Sequence, residues 1–334
     1  MPIVKANAYG HGVDIVCSAL EHAPAFGVAS VNEALELRTL GFKQPVLLME
    51  GTFDPDEIEV AETNDFWLMV ENHNQKDQIL RAKLKHPIRV WLGLDTGMHR
   101  LGFDTLEIKQ VYQDLLNSGQ IDRLTVLATH FACANDLSND MTNRQIECFD
   151  KTSREIELTT GHILQQSLAN SAAILGWQNS LRDWQRPGYM LYGNSPFCDE
   201  RLSETLRPVM TLESKIISLR TILAGDTVGY DAIWKAERKS QIATISIGYG
   251  DGYPRHAKNG TPVMIRGQRC PLVGRVSMDM ITVDVTDCAF AQLGDTAILW
   301  GPELPVNEVA QYCETNGYEL LSGISFRIPR VAKN

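Results

Sequence analysis

The chain has 334 residues, a length that favours two domains and excludes a single small module. Hydrophobic residues make up 44% and charged residues 22%, proportions that let a core form and exclude disorder, collagen and coiled coil. A net charge of -10, from 41 acidic against 31 basic residues with no run of Lys or Arg, argues against nucleic acid as a partner.

From the start, short runs rich in Val, Ile, Leu and Phe alternate with stretches of helical period, the pattern of βα units around a parallel sheet. Eight runs are read as strands: PIVKA (2–6), FGVAS (26–30), PVLLME (45–50), FWLMV (66–70), VWLGLD (90–95), LATHF (127–131), ILQQSLA (163–169) and the weakest, DWQRPG (183–188). Helices are expected between them, among others over 31–41, 72–85, 104–119, 140–160 and in SAAILGW after Ser171. Eight strands predict a (β/α)8 TIM-type barrel over 1–200, yet only seven gaps separate them, and YMLYGNSPFCDE after strand eight reads as loop. One helix of the ring is therefore expected to be missing. Beyond residue 205 the apolar period becomes two, in VMTLESKIISL, QIATISIG, TPVMIRG, MITVDV and TAILWG, which predicts a mostly antiparallel β domain over 205–334. One helix is expected inside it at 306–317, ending at Asn316-Gly317.

No stretch approaches the ~20 apolar residues that span a bilayer, and MPIVKANAYGHG has no signal-peptide pattern, so no membrane partner and a cytoplasmic location are expected. The seven cysteines (Cys17, Cys133, Cys148, Cys198, Cys270, Cys288 and Cys313) are scattered and never form CxxC. They read as free thiols, and no metal site is expected.

A barrel keeps its active site at the C-terminal ends of its strands, so polar residues there are the candidates. Lys5 ends strand one, with a solvated charge as its alternative reading. Arg100 lies past strand five in DTGMHRLGF, where a surface ion pair would also suit it; His130, in ATHF, could be a hydrogen-bonded core histidine. Asn170 and Ser171 follow strand seven, where they either cap a helix or hold an anion at its start. Arg186, Gly188 and Tyr189 follow strand eight, where barrels often complete a phosphate site. Together these put a lysine, two arginines, a histidine and an anion site on one rim, which suits a phosphorylated cofactor held as a lysine imine.

The segment VKANAYGHG (4–12) resembles the pyridoxal-phosphate lysine motif of alanine racemases. LDTGMHRLGF, ATHFACAND, LANSAAIL, RPGYMLYGNSP, VGYDAIW, IGYGDGYPR and GRVSMDM follow in that family's order over essentially the whole chain. The resemblance implies a homodimeric isomerase that interconverts L- and D-alanine through pyridoxal 5'-phosphate and supplies D-alanine for peptidoglycan. It implies that Lys5 carries the cofactor and is one proton-transfer base, and that Tyr230 is the other, contributed by the partner subunit. Tyr9, Asn170, Ser171, Gly188 and Tyr189 would hold the cofactor, its phosphate above all, and Arg186 would face the pyridine nitrogen. His130 would link Arg186 to Tyr230, in a cationic network that lowers the tyrosine's pKa. Arg100 and Met278 would meet the substrate carboxylate, and Tyr249 and Asp279 would narrow the entry.

Three departures from the family pattern are visible. Where many members have a carbamylated lysine that orients the substrate arginine, this chain has Gly93, so another anion must do that work or Arg100 is held differently. Where many have a phosphate-binding tyrosine near the C-terminus, the matching position is read as Phe326. The chain also starts at the lysine strand, without the family's preceding strand and helix, which agrees with the missing helix. Gly93 keeps open a broad-specificity amino-acid racemase on the same scaffold. A non-catalytic pyridoxal-phosphate-binding protein would lack the β domain, and a related decarboxylase would be expected to have a cysteine where Ser277 stands.

Overall fold

The computed structural model describes residues 1–197 and 206–333, which form two compact units. The first comprises 1–8, 12–191 and 195–197 of the described residues, and the second 9–11, 192–194 and 206–333. The expected boundary between 200 and 205, and Cys198, lie outside the described residues.

In the first unit six parallel strands pair in chain order: β1 (Phe26–Val28), β2 (Val46–Leu48), β3 (Phe66–Val70), β4 (Val90–Gly93), β5 (Val126–Ala128) and β6 (Gln165–Ser167). β1 to β5 are buried at every position, as expected for strands covered on both faces. Predicted strands one and eight form no ladder, but they close the ring. On one side the Gly27 N–H donates to Pro2 O (2.9 Å) and the Val4 N–H to Gly27 O (2.8 Å); on the other the Ile3 N–H donates to Pro187 O (2.9 Å). Arg186 bridges to Asn170 beyond β6, which completes the barrel of eight staves. Alternate residues Leu47, Trp67, Met69, Trp91, Val126 and Ala128 form one core cluster, and the weak eighth stave sends Trp184 against it, with ring centroids 5.6 Å from Trp67 and 5.9 Å from Trp91.

Seven helices fill the seven gaps: Val13–Ala19, Val31–Thr39, Asp56–Asn64, His73–Arg81, Ile108–Asn117, Met141–Thr160 and Ser171–Gly176. Three begin at side-chain caps that stop local unwinding, Ser30 accepting from the Glu33 N–H, Asn72 from the Gln75 N–H and Asn170 from the Ala173 N–H. Among the described residues, the chain after stave eight and before residue 198 makes only the short 3-10 turn Tyr189–Tyr192.

In the second unit an antiparallel sheet has the order β12-β11-β14-β7-β10-β13. Its strands are β7 (Leu212–Ile222), β10 (Ser240–Ile245), β11 (Pro262–Ile265), β12 (Gln268–Pro271), β13 (Ile281–Asp284) and β14 (Thr296–Trp300). A bridge from Leu272 to Val283 joins its two edges, so this sheet also closes. A ribbon of β8 (Thr227–Val228) and β9 (Trp234–Lys235) was not expected from the sequence, being two residues per strand. The single helix expected at 306–317 is in fact two, Val306–Tyr312 and Gly317–Ser322. Asn316-Gly317 does not end the first helix: the Asn316 side chain accepts from the Glu319 N–H (3.1 Å) and starts the second. Among the described residues no helix is long and apolar enough to cross a membrane, and no group of three or more His, Cys, Asp or Glu could hold a metal ion.

Candidate active site

Lys5 stands at the C-terminal end of the first stave, and the chain leaves it in an unusual way. Ala6, Asn7, Ala8 and Tyr9 all have φ of 52–53°, one turn of left-handed helix without a glycine. Each such residue costs roughly 1–2 kcal/mol, so the turn persists only because its surroundings fix it. The Glu33 carboxylate accepts from the Ala6 N–H (2.7 Å) and the Ala29 N–H (2.8 Å), and Asn7 Oδ1 accepts from the Val13 N–H (2.8 Å).

Arg186 is 4% exposed, and its guanidinium makes four hydrogen bonds, all from Nη1 and Nη2. Nη1 donates to Ser167 O (3.0 Å) and Ser167 Oγ; Nη2 donates to Thr129 O and Leu168 O (3.3 Å). Burial pulls its pKa down to about 10, which leaves the guanidinium charged at neutral pH. One loop onward, Ser171 Oγ accepts from the Gly188 N–H (3.0 Å) and the Met190 N–H (3.2 Å). Asn170 is engaged elsewhere: its side chain caps the helix Ser171–Gly176 by accepting from the Ala173 N–H (3.1 Å). A phosphate here would meet the Ser171 hydroxyl, whose oxygen is braced by two backbone donors and whose O–H is left to donate. That hydroxyl suits an anion and, with Lys5 on the same rim, fits pyridoxal phosphate.

His130 lies just past β5, and its backbone carbonyl accepts from Gln145 Nε2 (3.0 Å). The same buried amide bonds Thr96 Oγ1 (3.0 Å) and the Ala132 N–H (3.0 Å), so one side chain of the helix Met141–Thr160 pins the loops after β4 and β5. None of the Arg186 bonds goes to the His130 ring. Burial first, then the charges of Arg186, Arg100 and Lys5, lower the His130 pKa to about 3. The expected cationic Arg–His network is therefore cationic at the arginine alone, and the imidazole is neutral at neutral pH.

Arg100 is exposed on a loop that leaves β4 and returns to it. Asp95 Oδ1 accepts from the Gly97 N–H (2.9 Å) and the His99 N–H (3.1 Å), and the Phe103 N–H donates back to Gly93 O (2.9 Å). Glu71, the first residue after β3, lies against this loop and was missed in the sequence. Its signal was the one used for Lys5 and His130, a polar residue at the C-terminal end of an apolar strand.

In the second unit, Tyr9 sits among aromatic rings, 5.0 Å from Tyr192 and 6.3 Å from Tyr318 between centroids. Burial pushes both the Tyr9 and the Tyr318 phenols up to about 12. Tyr318 is thus the C-terminal phenol beside Tyr9, whereas Phe326, the position read as replacing a phosphate tyrosine, is 84% exposed. Tyr230 lies on the turn Tyr230–Ala232, tied down by an ion pair between Asp231 and Arg275 (2.8 Å). The Tyr249 N–H donates to Ser277 O (3.0 Å) and the Gly250 N–H to Met278 O (2.8 Å), while Arg327 pairs with Asp251 and Asp279 (both 2.7 Å). Tyr230, Tyr249, Met278 and Asp279 are therefore carried on neighbouring loops of this unit. All four are exposed, Tyr230 by 67%.

Comparison with known proteins gives a consistent result. A family model described as the alanine racemase N-terminal domain matches residues 1–196, and one described as the alanine racemase C-terminal domain matches 209–332. Alanine racemase from Vibrio vulnificus (strain CMCP6) is 44% identical over 329 residues, covering 98% of this chain and 90% of that protein. Alanine racemase from Pseudomonas syringae pv. syringae (strain B728a) is 46% identical over 333 residues, covering 99% and 91%. Among solved structures, the biosynthetic alanine racemase from Pseudomonas aeruginosa superposes with a TM-score of 0.93 at 44% identity, covering 100% of this chain and 92% of that one.

Proposed function

The chain belongs to the alanine racemase family, and on that premise we propose that Lys5 and Tyr230 are the two bases with which it interconverts L- and D-alanine, supplying the D-enantiomer for peptidoglycan. It is an isomerase dependent on pyridoxal 5'-phosphate. The observation that carries the residue assignment is the gathering, at one end of the barrel, of Lys5, the buried Arg186 and the Ser171 hydroxyl with its two backbone donors.

When bound, pyridoxal phosphate supplies the electron sink that makes the Cα hydrogen of alanine removable. Lys5 Nζ holds it and moves a proton to or from Cα on one face. Racemisation needs a second base on the opposite face, because a single base returns the proton to the side it left, and Tyr230 Oη takes that part. Arg186 keeps its protons, and its Nε, which none of the four side-chain bonds uses, would be the group at the pyridine nitrogen. A donor that keeps its proton would leave the bound ring a weaker electron sink, which favours racemisation over transamination. Ser171 Oγ, braced by the N–H groups of Gly188 and Met190, would hold the phosphate, and Arg100 would receive the substrate carboxylate with Met278. The roles of Tyr9 at the phosphate and of Tyr249 and Asp279 at the entry rest on the family match.

The exposure of Tyr230 and its neighbours on their own chain supports their delivery to the barrel of a second copy, in a homodimer with shared active sites. The cytoplasm is the compartment this reading assigns. Borohydride reduction of the cofactor-loaded protein, followed by digestion and mass mapping, tests it. The pyridoxyl mass is expected on the peptide containing Lys5, and its recovery on another lysine overturns the assignment.

A further inference from the structure

Gly93 is the position where the missing side chain leaves Arg100 without the family's usual anion. The space above it is filled. A Cβ added to Gly93 would meet Glu71 Cγ at 2.8 Å and Oε1 at 3.2 Å, because β3 and β4 pair Val70 with Leu92 and so bring the next residues side by side. The Arg100 loop is tied to the same place: the Gly102 N–H, two residues after Arg100, donates to Glu71 O (3.2 Å). Glu71 Oε2 is shut off from solvent and has no hydrogen-bond partner among the described residues. A buried carboxylate oxygen without a donor is costly unless a cation serves it.

We propose that Glu71 is the positioning residue for Arg100: its carboxylate, seated over Gly93, anchors the guanidinium that receives the substrate carboxylate. This rests on the reading of Arg100 given above. An exposed arginine loses considerable side-chain freedom when it grips a ligand, and an anion that fixes it beforehand removes part of that loss. Glycine at 93 is required by the same arrangement, since any side chain there would displace Glu71.

The charged groups facing Glu71 are Arg100 from the loop after β4, Arg186 from the eighth stave and Glu50 from the loop after β2. Burial raises the Glu71 pKa to about 7; the two arginines oppose that rise and Glu50 adds to it. The anchor therefore gains its charge as pH rises through about 7 and loses it below.

The test uses the cofactor-loaded enzyme and the near-isosteric variant Glu71→Gln, with Arg100→Ala beside it. KM and kcat for alanine are measured from pH 5.5 to 9, and the Kd of propionate, which is alanine without its amino group, is measured by calorimetry. At pH 9, Glu71→Gln is expected to raise KM and the propionate Kd about tenfold, the worth of one charge-assisted contact, with a much smaller change in kcat. The ratio of variant to wild-type KM should fall towards one below pH 6. If Arg100→Ala weakens propionate and Glu71→Gln does not, or if the ratio is flat with pH, Glu71 is not the anchor and the reading of Arg100 stands. If Arg100→Ala leaves the propionate Kd unchanged, the reading of Arg100 fails and the proposal falls with it.

Discussion

Gly10 follows the left-handed turn after Lys5, and replacing it with alanine should damage the protein through the backbone alone. Its φ is +79°, and an added Cβ would lie 2.0 Å from Leu321 O and 3.0 Å from Leu321 C, in the helix Gly317–Ser322 of the same unit. A carbonyl oxygen cannot swing away like a side-chain end, so either that helix or the 9–11 segment must move. The left-handed conformation costs a non-glycine residue roughly 1–2 kcal/mol, and forcing a methyl into packed structure costs about 1–3 kcal/mol more. Together these give about 2–5 kcal/mol. At roughly 2–4 °C per kcal/mol for a domain of this size, Tm should fall by about 5–15 °C. Calorimetric melts of the cofactor-free protein measure this without interference from ligand binding. The same substitution at Gly119, where an added Cβ meets nothing within 4 Å, is the control for a positive φ without a clash. A Gly10→Ala melt no lower than that of Gly119→Ala would refute the steric argument.

Two further outcomes are expected. Folding favours the protonated form of Glu71, whose pKa is raised from 4.5 to about 7, so this group makes stability fall as pH rises between those values, by about 3 kcal/mol in all; Glu71→Gln should remove that slope in urea titrations of the cofactor-free protein at pH 5 and 8, and an unchanged slope would mean that the carboxyl ionises without penalty. If Tyr230 serves one face of Cα, Tyr230→Phe should slow deuterium uptake from heavy water into one alanine enantiomer by ~10²–10⁴ while the other still exchanges through Lys5; equal slowing in both would make Tyr230 a positioning residue.

What could be read in the sequence was whatever has a period or a place. Buried parallel strands such as FWLMV announce themselves as continuous apolar runs, and β3 spans those residues. Once strand ends are known, a barrel needs no further information to gather Lys5, Arg100, His130, Ser171 and Arg186 on one rim. What could not be read depends on partners far apart in sequence. Asn316-Gly317 looks like a helix stop because glycine often ends helices, yet here the asparagine oxygen caps the following turn, a choice made by the packing of Leu320 and Leu321. Likewise the neutral state of His130 is set first by burial and then by three cations from three other elements, and no local pattern encodes it.

The left-handed turn shows the same limit where the chemistry is concentrated. KANAY contains no glycine, and alanine is the best of helix formers, so local propensity gives no hint of four successive positive φ values. At roughly 1–2 kcal/mol each, the strain of these residues is a sizeable fraction of a typical net folding stability of ~5–15 kcal/mol. A fold keeps such strain only where another conformation would defeat the site. A right-handed or extended continuation would carry the Ala6 N–H away from the Glu33 carboxylate and the Asn7 side chain away from the Val13 N–H. The lysine would then sit at the end of an unanchored segment. The glutamate that fixes the turn also accepts from the Ala29 N–H just past β1, so the first two staves are locked together where Lys5 emerges. Strain in the turn is thus the cost of a rigid mount for Lys5, the side chain proposed to hold the cofactor and to return a proton to a single face of Cα.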